Sequence, residues 1–93
     1  MYKDLDPLLH APLRLAVVSH LMTHHQASFK ELKAVTEATA GNLSIQIKKL
    51  EEAKYLTVHK SFLDNYPHTQ AVLTKTGIQA FDNYVKTLKK LLE

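Results

Sequence analysis

At 93 residues, 45% of them hydrophobic, the chain has apolar material for one modest core, and no second domain is expected. Twelve Lys plus Arg against nine Asp plus Glu give a formal charge of +3, which permits a nucleic-acid partner without demanding one. The lack of cysteine excludes disulfides and thiolate zinc sites, and no apolar run is long enough to span a bilayer.

The first residues, Met1-Tyr2-Lys3-Asp4-Leu5-Asp6, are too acidic and polar for a secretory signal, so the expected compartment is the cytoplasm. Asp6-Pro7 reads as an N-cap followed by proline at the first helical position, which predicts a short helical preface over residues 6 to 11. Pro12 permits a second start. From there to about His25, Leu13, Ala16, Val17, Leu21 and Met22 share a broad apolar side, which predicts a largely buried first helix. His24-His25-Gln26-Ala27 breaks the pattern. Ser28-Phe29-Lys30-Glu31 then has capping-box spacing, Ser28 and Glu31 each able to satisfy the other's amide, before a helix of two turns burying Phe29, Leu32 and Val35.

Thr36-Glu37-Ala38 is the expected connection to a third helix capped by Thr39. Leu43, Ile47 and Leu50 recur at i, i+4 and i+7, one stripe facing a core. The other face gathers Gly41, Asn42, Ser44, Ile45, Lys48 and Lys49, and with Thr39, Ala40 and Gln46 these are the expected DNA-contacting residues of the helix. Small groups, amides, a hydroxyl and cations at the positive end of a helix dipole suit a helix that reads DNA. Two short helices joined by about three residues have the layout of a helix-turn-helix, here without the glycine often found in the turn.

Beyond Ala53 the pattern alternates through Leu56, Val58 and Lys60, passes a polar tip at Asp64-Asn65-Tyr66-Pro67-His68, and alternates again through Thr69-Gln70-Ala71-Val72-Leu73. This predicts a projecting β-hairpin. Thr74 can cap a last helix from Lys75 to about Leu92, roughly 27 Å long at 1.5 Å per residue. Ile78, Phe81, Val85, Leu88 and Leu92 follow a 3,4,3,4 spacing with Tyr84 and Leu91 beside them, a heptad seam. A monomer would leave part of that seam in water, so a twofold partner is expected on it, joined by Leu5, Leu8 and Leu9.

Taken in order, Asn42-Leu43-Ser44, Leu50-Glu51-Glu52-Ala53-Lys54-Tyr55-Leu56, the hairpin and Leu73-Thr74-Lys75-Thr76-Gly77 resemble the winged helix-turn-helix transcriptional regulators of the MarR and ArsR type. Asp6-Pro7 with His10-Ala11-Pro12-Leu13-Arg14-Leu15 is similar to the start of their compact members, and the likeness runs over about residues 5 to 92. It implies a mainly α fold with a small β-hairpin (α+β): one winged-helix domain over 1–93, the helix-turn-helix at about 29–53, the wing at about 55–73 and a dimerisation helix at about 75–92. It also implies a cytoplasmic, homodimeric DNA-binding regulator, expected as a repressor. In this chain Lys54 stands where these proteins usually have a left-handed glycine, at a cost of about 1 kcal/mol. The wing tip is poor in arginine, and Arg14, in the first helix, is the only arginine of the chain.

Without arginine in the reading helix, bidentate recognition of guanine by that side chain is unavailable. Asn42 and Gln46 can pair with adenine and Ile45 can touch a thymine methyl, which predicts an A/T-rich half-site in an inverted repeat; the alternative is that Ile45 packs against the wing or another protein and that Gln46, at the edge of the stripe, is half-buried. Lys48, Lys49 and Lys60 are expected on phosphates, and Asn65, Tyr66, His68 and Thr69 of the wing on the backbone or minor groove. Protonation of His59 and His68 would tighten binding at about pH 6 relative to about pH 8. His20 and His24, four apart with His25 adjacent, could clamp a metal, but no cysteine or neighbouring carboxylate in sequence completes such a site, and no metal or cofactor is expected. There is no Gly-rich phosphate loop, cysteine nucleophile or paired-carboxylate cleft, so an enzyme is not expected, nor is a membrane role. Any small effector would have to sit between the reading helices and the dimer seam. The competing reading is a winged helix used for protein contact, with Ile45 and Tyr66 as anchors.

Overall fold

The structure, a computed structural model, describes residues 2–93. After a one-turn 3-10 helix at Tyr2–Asp4 come α1 (Pro12–His24), β1 (Gln26–Ser28), α2 (Phe29–Thr36), α3 (Ala40–Glu52), β2 (Leu56–Leu63), β3 (Tyr66–Leu73) and α4 (Lys75–Leu92). The three strands form one antiparallel sheet in the order β1-β3-β2. This is the mainly helical fold with a small hairpin expected of a winged helix-turn-helix.

Local chemistry sets the boundaries. Ala11 is extended, as a residue before proline must be, and Pro12 opens α1. Ser28, Thr39 and Thr74 cap α2, α3 and α4, their hydroxyls accepting from the amides of Glu31 (3.0 Å), Asn42 (3.2 Å) and Gly77 (3.0 Å). Only half of the expected capping box forms, because the Glu31 carboxylate turns to His20 Nε2 at 2.6 Å and so ties α2 to α1. At the end of α3, Tyr55 N–H donates to Leu50 O and Lys54 N–H to Glu51 O, a Schellman closure with Lys54 left-handed at φ 66°.

Leu9, Val17, Val18, Leu21, Leu32, Leu43, Leu50 and Leu56 are fully buried and join the N-terminal segment, the three first helices and the sheet in one core. Each large aliphatic buried this way contributes about 1.5–3 kcal/mol relative to exposure. The stripe Leu43, Ile47 and Leu50 faces this core as its spacing requires. α1 is rotated from expectation, with Val18 buried and Ala16 exposed, and in α2 Leu32 is buried and Phe29 packs half-buried against the core while Val35 is 52% exposed.

Three other expectations are corrected. Residues 6 to 11 form a turn and not a helical preface: Asp6 accepts from the amides of Leu8, Leu9 and His10, and no helix continues. Gln26 and Ala27, expected to lie in a break, pair together with the capping residue Ser28 against Gln70–Val72 as a third strand. The wing tip is tighter than the expected five-residue loop, since Tyr66, Pro67 and His68 belong to β3 and only Asp64-Asn65 turn the chain. Both have positive φ, 51° and 67°, as a type I′ hairpin turn demands.

Candidate nucleic-acid interface

The outward face of α3 carries Thr39, Ala40, Gly41, Asn42, Ser44, Ile45, Lys48 and Lys49, all exposed. The structure thus brings together on one surface the residues expected to read and hold DNA. Ile45 is 55% exposed, a large aliphatic with no core to fill. At Gly41 a Cβ would meet nothing within 4 Å, so the protomer gains nothing from glycine there. A glycine that the fold does not require, in the first turn of a helix, leaves room for another molecule's close approach.

Gln46 takes the alternative place, at the edge of the stripe, and not a position on the outer face. It is half-buried, its carbonyl oxygen accepts from the Arg14 guanidinium, and its amide donates to Asn42 Oδ1 at 3.0 Å. Arg14 Nε in turn donates to the Leu8 carbonyl at 2.6 Å. This chain of bonds is not legible in the sequence, because Arg14 and Gln46 lie on different helices and 32 positions apart.

Beside α3 the wing encloses a groove of about 440 Å³ with Phe29, Ile47 and Val58 in its floor and Ser44, Lys48, Glu51, Lys60 and Thr69 around it. The register explains the lining: Val58 pairs with Ala71 and Lys60 with Thr69, one face of the hairpin, which is the face turned to α3. His59 and His68 alternate onto the other face, each bonded to a neighbour two residues along its strand: His59 Nε2 is 3.3 Å from Thr57 Oγ1 and His68 Nε2 is 3.1 Å from Gln70 Oε1. At the tip Phe62, Leu63 and Tyr66 are 77%, 62% and 75% exposed. Tyr66 and Asn65 are the tip residues expected from the sequence; Phe62 and Leu63, which end β2, are not among them.

The expected dimer residues separate into two groups. Leu5, Leu9 and Tyr84 pack inside the protomer and offer no surface to a partner; Tyr84 is buried with its hydroxyl 2.9 Å from His10 Nδ1. Leu8, Ile78, Phe81, Val85, Leu88 and Leu91 are half-buried and Leu92 is 80% exposed. The sequence could not separate the groups, since Tyr84 sits beside the seam and the turn at Asp6 redirects Leu9 inward. His20 and His24 stack at 4.0 Å, and Glu31 stands against His20, a carboxylate that spacing alone did not place there. Among the described residues no group of three or more His, Cys, Asp or Glu could hold a metal. No helix among them is long and apolar enough to cross a membrane.

Three helices, the third with a polar outer face, and a hairpin beside it define a winged helix-turn-helix domain, of the fold related to MarR- and ArsR-like regulators. The profile of the family described as winged helix DNA-binding domain matches residues 13–92, and the chain belongs to that family. A Methanocaldococcus jannaschii protein, MJ0432, is 29% identical over 84 residues, 90% of this chain and 91% of its own length. The structure of a transcriptional regulator homologue from Pyrococcus horikoshii OT3 superposes with a TM-score of 0.85 at 27% identity, covering 91% of this chain and 84% of that one. YusO from Bacillus subtilis shares the fold at a TM-score of 0.74 and 17% identity, over 88% of this chain and 57% of its own.

Proposed function

We propose that this chain is a sequence-specific double-stranded-DNA-binding regulator that acts as a homodimer, one domain divided into helix-turn-helix (about 29–53), wing (about 55–73) and dimerisation helix (about 75–92). The observation that carries the reading is the outer face of α3, where Thr39 to Asn42, Ser44, Ile45, Lys48 and Lys49 are exposed and Gly41 has open space around it. Family membership and the likeness to a transcriptional regulator homologue support it. Residues 40–49 lie in the major groove, with Asn42 on adenine and Ile45 on a thymine methyl, so the half-site is A/T-rich. Lys48, Lys49 and Lys60 hold phosphates, and Asn65, Tyr66, His68 and Thr69 follow the backbone or minor groove. Occupying an operator needs no contact beyond these, so repression is the output.

Two reading helices about one DNA turn apart recognise an inverted repeat, and α4 supplies the tie. Of its eighteen residues only Gly77 and Tyr84 are buried, so Val85, Leu92 and the outer edges of Ile78, Phe81, Leu88 and Leu91 remain for a second copy. The test is an unbiased selection of bound duplexes from a random pool. The reading expects A/T-rich inverted repeats; an unenriched or G/C-rich pool contradicts it. The exposed apolar tip of Phe62, Leu63 and Tyr66 favours a second reading, a winged helix that docks on another protein. Under that reading the Phe62→Ser, Leu63→Ser double variant loses its partner, whereas wild type binds duplexes weakly and without preference.

A further inference from the structure

The geometry points to Arg14 as a specificity-positioning residue, acting from α1 through Gln46 on the amide of Asn42. The inference rests on the DNA-binding reading and adds to it a residue outside the reading helix. The Leu8 carbonyl fixes the guanidinium through Nε at 2.6 Å, and the guanidinium donates to Gln46 Oε1. With its oxygen turned to a cation that carries only donors, the Gln46 carboxamide must direct its NH2 the other way, where it donates to Asn42 Oδ1 at 3.0 Å. Asn42 is exposed and one turn before Gln46, and among the described residues this bond is what selects which end of its amide is oxygen and which is nitrogen.

That choice decides what Asn42 reads. Pairing with adenine requires an oxygen for the N6 amino group and an N–H for N7, side by side and in one order. A freely flipping amide presents the wrong order for much of the time, whereas the relay holds one order before DNA arrives, which lowers the ordering cost of binding. Gln46 consequently reads no base itself. Lysine in place of Arg14 keeps the charge but lacks the planar fork that serves two acceptors at once.

Three variants separate the links. Gln46→Met leaves the Arg14–Leu8 bond and removes the whole relay; Gln46→Glu keeps an acceptor for Arg14 but has no N–H for Asn42; Arg14→Lys keeps charge and loses the fork. Two measurements are made on each: side-chain amide resonances of Asn42 in the free protein, and affinities for the selected duplex against duplexes altered one base pair at a time. All three variants are expected to shift the Asn42 amide signals. They are also expected to lower discrimination at the one base pair that Asn42→Ala also affects, by roughly fivefold to tenfold, the low end of what a bidentate base contact supplies. Gln46→Glu in addition lowers affinity for every duplex, through its charge, without restoring discrimination. In Asn42→Ala, adding Gln46→Met costs no further discrimination.

Unchanged Asn42 resonances, or unchanged base preference in the variants beside a wild type that has one, overturn the relay while leaving the DNA-binding reading intact. Shifted resonances in a wild type that binds no duplex overturn the functional reading, and with it the role assigned to Arg14. A fall in melting temperature with base preference preserved makes Arg14 structural only and likewise overturns the inference.

Discussion

Among the described residues His25, Glu37, Lys54, Asp64 and Asn65 have positive φ without being glycine, and each stands where an element stops. The strain is tolerated because the chain must reverse there, and it makes measurable room for improvement. Lys54→Gly and Glu37→Gly should each raise stability by about 0.5–1 kcal/mol, read from denaturant midpoints with unchanged slope. The opposite holds at Gly77, where a Cβ would lie 2.2 Å from the Tyr55 carbonyl oxygen and 2.8 Å from Leu73 Cδ1. Thr74 Oγ1 caps α4 there and also donates to the Lys54 carbonyl at 2.7 Å, clamping α4 to the end of α3, so Gly77→Ala should cost about 1–3 kcal/mol. Gly41→Ala should instead stabilise the free protomer by about 0.5–1 kcal/mol while weakening duplex binding, a divergence that only a close-approach role produces. Tyr55 supplies a pH test. Burial, then its hydrogen bond to Asp6 and that carboxylate's charge, push its phenol up to about 12. The folded state therefore holds the proton more tightly than the unfolded chain. The contribution is whole below about pH 10 and lost as pH rises to about 12, so the melting temperature should fall across that window more steeply in wild type than in Tyr55→Phe.

Elements whose signals are local were legible in the sequence, and those made by distant pairing were not. Ser28, Thr39 and Thr74 each announce a helix, and α2, α3 and α4 begin one residue after them. β1 is three residues, Gln26-Ala27-Ser28, too short for alternation to register, and its only partner lies some forty residues on, at Gln70–Val72. Pro67 suggested a loop, yet at its level β1 has ended and β3 is an edge, where a missing N–H costs no ladder bond. The outer face of α3 was legible because exposure on α3 follows from the stripe opposite it; the binding of Gln46 to Arg14 depends on how two helices cross, which no periodicity encodes. At this scale the account predicts salt dependence. If each protomer neutralises about three phosphates, through Lys48, Lys49 and Lys60, log affinity of a dimer falls with log salt at a slope of roughly −5, and Lys60→Ala in both copies flattens it by about 2.

The whole molecule is drawn out. Its radius of gyration is 13.8 Å and its long axis 51 Å against 25 and 21 Å across, where a compact chain of this length would have a radius of about 12 Å. The buried residues end at Tyr84, so the last two turns of α4 touch the core with one edge only. Ile78, Phe81, Leu88 and Leu91 still reach that core with one edge, whereas Val85 and Leu92 do not. Val85→Glu with Leu92→Glu should therefore keep the helical circular-dichroism signal, shift sedimentation from dimer to monomer, and weaken operator binding at least tenfold by removing one of two linked contacts. The most direct test of the central claim, that the outer face of α3 meets DNA, is a backbone amide NMR titration with the selected duplex. The account predicts that the largest shifts fall on residues 39–49, with a second set on Lys60 and 65–69, and none on the interior stripe of α3 beyond its immediate neighbours. Shifts confined to the wing tip or to α4, or no shifts at all with a protein that remains folded, would contradict it.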